Sequence, residues 1–504
     1  MLDLIDTLDS ASAGKVLLQD KTRQLDGPGL IQAIERLGRT LKKLNIKKLS
    51  LYADNSIDWV LADLVCQKLD ICLLPLPAYF TAAQLTHAIR SSGIQHILTD
   101  QAEPLSAMLP ELKLQRVYDY SSRLCFLGTD AIDPAVELPQ QTQKITFTSG
   151  STGQSKGVCL SKVQQLSQAS ALMESTGIRE PVHLCALPLS TLLENIAGIY
   201  APLLAGGLVH LPSLNDLGYQ GSRLTDPQAF LNCLSNTKPD TLILIPQLLS
   251  LLVQAARQGW AVPPFKFVAV GGSKISAELI GQARQLGIPA YEGYGLSECA
   301  SVVSLNTPLK DRSGTCGQVL NSQRVTIENG EVLISGNTML GYIGDSEDWY
   351  PSQIHSGDLG HLDEQGYLHI DGRCKNILIS SYGRNISPEW VESELLASPL
   401  LSEAVVFGDS QPYCVALVYP TSPAVNEEQL SQVIHEANRK LPDYARIRAW
   451  HRLSGPLSGL PDLMTSNGRP RREQIQEYFP AAIEQLFQQG LHACSSTQTK
   501  DNAA

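Results

Sequence analysis

Apolar positions recur along this chain in two alternating rhythms. Ile31, Ile34, Leu37, Leu41 and Leu44 fall three or four residues apart, the spacing of one helix face. Leu49-Ser-Leu-Tyr-Ala53 then reads as a strand. A second helical stretch over 59–68 leads into the strand-like Ile71-Cys-Leu-Leu-Pro75, and another into 94–99. The rhythm returns at 265–270, 278–286 and 288–291. Repeated strand–helix units imply parallel sheets covered by helices, with ligand-bearing loops at the strand carboxyl ends. Near the C-terminus, Ser387 can cap a helix with Pro388 at its first position and Glu389 in its first turn. Residues 405–407 and 415–419 read as paired strands of a small α/β domain.

Size and composition narrow the picture. A chain of 504 residues is too long for one ordinary core. Its 43% apolar and 18% charged content is that of a folded, soluble protein. The net charge of -11 argues against nucleic acid as a partner. Eleven cysteines are scattered without paired metal-ligand spacing, which fits reduced thiols in the cytoplasm. The first residues, Met-Leu-Asp-Leu-Ile-Asp, carry acids where a signal peptide needs bases. No apolar run reaches the roughly 20 residues of a membrane helix, so no transmembrane segment is expected, while peripheral membrane contact stays open.

The densest chemistry lies in Thr148-Ser-Gly-Ser-Thr-Gly-Gln-Ser-Lys-Gly157, preceded by the strand-like Ile145-Thr-Phe147. Glycines at this density let backbone N–H groups converge on a polyanion, and short hydroxyls add donors without bulk. Lys156 supplies a point charge for phosphate oxygens. The stretch differs from an ordinary P-loop, since Gly157 rather than Ser or Thr follows the lysine. A flexible linker is the other meaning of such a composition.

Later segments decide between these meanings. Tyr291-Glu-Gly-Tyr-Gly-Leu-Ser-Glu298, His355-Ser-Gly-Asp-Leu-Gly360, Gly366-Tyr-Leu-His-Ile-Asp-Gly-Arg373, Ser381-Tyr-Gly-Arg-Asn-Ile-Ser-Pro-Glu-Trp-Val-Glu392 and Thr465-Ser-Asn-Gly-Arg-Pro-Arg-Arg472 follow in order. With the glycine-rich loop, this series resembles the adenylate-forming (AMP-binding) superfamily, most of all its long-chain fatty acyl-CoA synthetases. The resemblance spans nearly the whole chain. It implies a large N-terminal domain, 1–374, of helix-covered, mainly parallel sheets holding the ATP and acyl sites. A small mobile C-terminal α/β domain, 375–490, and a disordered tail, 491–504, would follow.

The resemblance also implies roles. Thr148, Ser149, Gly150, Ser151, Thr152 and Gly153 would cradle phosphates with Lys156. Gly272 and Ser273 would line one adenine face, Tyr294 would stack on the base, and Gly295 and Ser297 would complete the segment. Asp358 would accept the ribose hydroxyls with Arg373 as its donor partner. Glu298, with Thr148, would hold Mg2+. Lys375 would be the hinge, and Gly383 would face the thiol tunnel. Arg469 stands where the family usually places a catalytic lysine. Its fork keeps the charge but not the point-donor geometry. Slower adenylation, altered selectivity, or assistance from Arg471 or Arg472 are the alternatives this departure leaves.

This chemistry is coherent. A carboxylate is a poor electrophile because its leaving group would be oxide. Transfer to the α-phosphate of ATP makes AMP the leaving group, which demands neutralised phosphate charge, a divalent metal and exclusion of water. The implied products are acyl-AMP and then a thioester of coenzyme A, or of a phosphopantetheinyl carrier protein. A non-catalytic adenylate-binding protein is the remaining alternative. Pro188-Leu-Ser-Thr-Leu-Leu-Glu-Asn195 resembles the segment before a long-chain acyl pocket, although Thr191 stands where those enzymes have histidine. No aspartate lies there to hold an α-ammonium, which argues against an amino acid. Leu192, Leu193, Ile196 and Ile199 can line an alkyl channel or pack as core, and a medium- or long-chain fatty acid is the expected substrate.

Overall fold

The helical stretch expected at 59–68 is the helix Ile57–Lys68, capped where Ser56 Oγ accepts from the Trp59 N–H at 3.2 Å. Trp59, Val60, Leu61, Ala62, Leu64, Val65 and Cys66 are all buried, so this helix is a core element rather than an amphipathic one. The computed structural model describes residues 4–10, 14–121, 123–148, 155–221, 223–381, 384–460, 462–465 and 468–489.

Cys72–Pro75, Lys48–Tyr52 and His96–Thr99 run parallel in the middle of an eight-stranded sheet. Lys144–Thr148 joins them in parallel, and Lys156–Leu160 returns antiparallel to it, so the glycine-rich stretch connects these two strands. Gly341–Tyr342 adds antiparallel to Lys156–Leu160. A second sheet, of nine strands, has a parallel centre formed by Leu208–His210, Val182–Leu184, Thr241–Leu244, Phe267–Val270 and Ala290–Tyr294. Helices cover both sheets, as the alternating rhythm predicts. The edges are antiparallel hairpins, which need no helix between strands and so leave no such rhythm.

A short π-helix, Glu194–Tyr200, ties the two sheets together. Its wide turn puts Asn195 and Tyr200, five residues apart, on one face. There Lys144 Nζ lies 2.8 Å from Asp63 Oδ1 and 2.7 Å from the Tyr200 hydroxyl, and it also donates to Asn195 Oδ1. Asn195 Nδ2 and the Tyr200 hydroxyl donate to Asp63 Oδ2 at 2.7 and 2.5 Å. Glu194 faces the other sheet, with Oε1 3.2 Å from His183 Nε2, while His183 Nδ1 is 2.9 Å from Thr241 Oγ1. Gly198 is required, because a Cβ would sit 2.6 Å from Glu194 Oε1. Leu192, Ile196 and Ile199 pack into the main core cluster.

A four-stranded antiparallel sheet, Gln323–Glu328, Glu331–Gly336, Ile354–Leu362 and Leu368–Arg373, leads to the smaller C-terminal domain. In that domain the helix Pro388–Leu396 begins at Ser387, whose hydroxyl accepts from the Trp390 N–H. Leu401–Phe407 pairs antiparallel with Cys414–Pro420, as the sequence predicts, and Ile447–Arg452 adds in parallel. The ten described cysteines are free thiols. Among the described residues no helix is long and apolar enough to cross a membrane.

Candidate active site

Strand register brings the first site residues together. Asp358 lies opposite Arg373 on neighbouring antiparallel strands, and Arg373 Nε is 2.8 Å from Asp358 Oδ1. Tyr294, at the end of Ala290–Tyr294 in the nine-stranded sheet, donates its hydroxyl to Asp358 Oδ2 at 2.6 Å. The Asp358 carboxylate is only 5% exposed. Burial raises its pKa, against the lowering pull of Arg373 and the Tyr294 hydrogen bond. Tyr294 was expected to act through its ring, but its hydroxyl also anchors the carboxylate.

The loop after Phe267–Val270 carries Gly272 and Ser273. Gly272 has φ +90°, a conformation that favours glycine, and Ser273 follows it. Gly295 is fixed by crowding: a Cβ there would lie 1.7 Å from the Ser301 carbonyl oxygen. Ser297 opens the 3-10 turn Ser297–Cys299, which carries Glu298. Gly295→Ala is therefore expected to displace this turn and slow adenylation by about 10²-fold, the scale of an ångström misplacement. Single-turnover kinetics, with circular dichroism to confirm folding, check this.

Arg469 comes from the C-terminal domain. Its N–H bonds Thr465 Oγ1 at 2.9 Å, and its guanidinium crosses to the N-terminal domain, where Nε donates to the Gly272 carbonyl at 3.0 Å. Burial lowers the Arg469 pKa and the neighbouring Arg373 charge adds to this, with Asp358 and Glu389 opposing. Arg469 and Arg373 thus both act electrostatically on buried Asp358, with the Glu389 carboxylate also nearby. Arg472 is not free to assist: it pairs with Glu389 at 3.2 Å and with Glu392 inside its own domain. The domain seam also carries a Gln254 amide bond to the Pro399 carbonyl and a Lys440–Glu278 ion pair. A cavity of about 200 Å³ lies in this seam beside Ser273.

A second cluster joins Lys156 to Glu298 through Tyr342, a residue that sequence reasoning missed. The Tyr342 hydroxyl donates to Glu298 Oε1 at 2.8 Å, and Lys156 Nζ lies 4.7 Å from the centroid of the same ring. The only sequence signal was a Gly-Tyr pair after a buried apolar run, too common to single out. Lys375 is exposed just past Leu368–Arg373. Thr148 ends its strand. Ser149, Gly150, Ser151, Thr152, Gly153, Gly383 and the 491–504 tail lie outside the described residues, as does the Thr148 side chain.

Comparison with known proteins decides the family. The model of the AMP-binding enzyme family matches residues 10–343, and that of the AMP-binding enzyme C-terminal domain matches 375–490. The chain belongs to the AMP-binding enzyme family. A 2-succinylbenzoate–CoA ligase of Enterococcus faecalis is 27% identical over 79% of this AMP-binding chain and 83% of its own. A long-chain-fatty-acid–CoA ligase of Mycobacterium bovis is 37% identical, but over only 29% of this chain and 26% of its own. Among solved structures, an anthranilate CoA ligase in complex with anthranoyl-AMP gives a TM-score of 0.79 at 17% identity, covering 95% of this chain and 97% of that one. The O-succinylbenzoate coenzyme A synthetase of Bacillus subtilis in complex with AMP gives 0.74 at 20% identity, covering 94% and 98%. These likenesses show the shared fold. The match to this long-chain-fatty-acid–CoA ligase thus covers a segment, whereas that to the succinylbenzoate ligase runs over most of the chain.

Proposed function

We propose that this chain is an AMP-forming acid–thiol ligase, which converts a carboxylic acid to acyl-AMP and passes the acyl group to coenzyme A. The observation that carries the reading is the placing of Arg469, from the C-terminal domain, on the Gly272 carbonyl of the N-terminal domain that also holds the Tyr294–Asp358–Arg373 cluster. Asp358, held by Arg373 and Tyr294, offers carboxylate oxygens to a ribose, and Arg469 brings a guanidinium to the neighbouring Gly272 loop, where it can meet a nucleotide phosphate. Asp358 would take the ribose, Gly272, Ser273, Tyr294, Gly295 and Ser297 would surround the adenine, and Lys156 would meet the outer phosphates. Glu298 offers a hard oxygen held by a neutral phenol, which suits Mg2+. With Thr148 it would hold the cation, which when bound screens phosphate charge.

The acid falls into two classes. The long relatives favour a succinylbenzoate-like aryl acid, and the shorter fatty-acid-ligase match favours a medium- or long-chain fatty acid. We favour the first, because its likeness extends over 79% of the chain. Incubation with ATP, Mg2+ and coenzyme A across 2-succinylbenzoate, substituted benzoates and fatty acids of graded length, read by product mass, tests it. An aryl-CoA product is expected; fatty acyl-CoA alone would overturn this choice. A phosphopantetheinyl carrier protein in place of coenzyme A tests the other acceptor.

The C-terminal domain would rotate at Lys375 between the two half-reactions. Lys375→Pro fixes φ there. Retained acyl-AMP formation with at least tenfold slower thioester formation is expected in rapid-quench assays. Equal loss of both would remove Lys375 from the hinge.

A further inference from the structure

We propose that Tyr342 is a positioning residue that holds Glu298 for the cation and keeps Lys156 and Glu298 from neutralising each other. This rests on the reading of Glu298 as the ligand of Mg2+. Opposite charges converging on one site would collapse into an ion pair, leaving neither for its ligand. Tyr342 stands between them as a neutral wedge: its hydroxyl orients Glu298 Oε1 at 2.8 Å, and its ring holds the Lys156 ammonium at 4.7 Å without cancelling its charge.

Glu298 needs such a tether. It sits on a three-residue 3-10 turn followed by Ala300 and Ser301, both non-glycine residues at positive φ, +52° and +96°. Backbone strain of this kind persists only where the surroundings enforce it. One restraint is the Glu298 carbonyl, which accepts from the Met339 N–H at 2.6 Å. Tyr342, by contrast, is rigidly placed. It pairs with Val158 on the strand that begins at Lys156, and its carbonyl accepts from Trp349 Nε1 at 2.9 Å. Gly341 before it has φ +142°, and a Cβ there would strike Trp349 at 2.5 Å. The same strand pair thus carries the lysine and the residue that aims the carboxylate.

The test is calorimetric titration of ATP, with excess Mg2+ and with chelator, into wild type, Tyr342→Phe, Glu298→Gln and the double variant, with thermal melts to confirm folding. The wild type should bind ATP more tightly with Mg2+. Loss of the residue that orients a metal ligand commonly costs about 10–100-fold in metal affinity. Tyr342→Phe should therefore lose about tenfold or more of the Mg2+-dependent gain while its metal-free affinity holds, because the ring under Lys156 remains. In the Glu298→Gln background the same change should add nothing. A full metal-dependent gain in Tyr342→Phe would overturn the positioning role, as would equal losses with and without Mg2+. Absence of any gain in wild type would instead overturn Glu298 as the ligand, and the proposal with it.

Discussion

Arg469→Ala is expected to slow acyl-AMP formation by about 10²–10³-fold, the usual cost of removing one preorganised group from developing charge. Its guanidinium reaches Gly272 only because the C-terminal domain is seated over the loop that follows Phe267–Val270, so its effect should belong to the half-reaction run in this arrangement. Thioester formation from supplied acyl-AMP should survive the substitution. Arg469→Lys should restore much of the rate, since the charge remains while the bond to the Gly272 carbonyl is weakened. Single-turnover adenylation of the three proteins, beside thioester formation from acyl-AMP, gives the answer. Unchanged adenylation in the alanine variant would remove Arg469 from the reaction.

Lys144→Met should destabilise the N-terminal domain by about 3–5 kcal/mol, the scale of breaking a buried ion pair from one side. Lys144 and Asp63 are 1% and 0% exposed, so Asp63 would keep a buried charge with only Asn195 and Tyr200 to satisfy it. Burial already lowers the Lys144 pKa, with Asp63 opposing. Adding Asp63→Asn should recover part of the loss, because the orphaned charge is removed. Urea unfolding followed by a probe in the N-terminal domain measures both variants. A shift below 1 kcal/mol in Lys144→Met would mean that water replaces the ammonium.

What the sequence revealed and what it hid divide along physical lines. The helix at 57–68, the parallel strands at 48–52 and 72–75 and the capped helix at 388–396 were legible, because local apolar spacing and capping chemistry encode them. Asp358 and Arg373 were named through family motifs, and strand register brings them face to face. Tyr342 was not legible, since its role depends on an edge strand pairing with residues far away in sequence. Lys144 was equally hidden: a lysine opening an apolar strand carries no sign of the aspartate on a distant helix that allows its burial. The pairing of Arg472, one of the alternatives beside Arg469, was hidden for a related reason, because its partners Glu389 and Glu392 lie about eighty residues earlier in the chain. Ile196 and Ile199 belong to the core cluster, and apolar identity alone did not separate core from channel.

The most direct test of the central claim is acid-dependent exchange of labelled pyrophosphate into ATP, which reads adenylate formation without needing the acyl acceptor. Wild type should exchange label only with Mg2+ and a cognate acid, drawn from a panel of 2-succinylbenzoate, benzoates and fatty acids. Lys156→Ala should lower that exchange by about 10²–10³-fold. Folded wild-type protein that binds ATP yet exchanges no label with any acid in the panel would contradict the account.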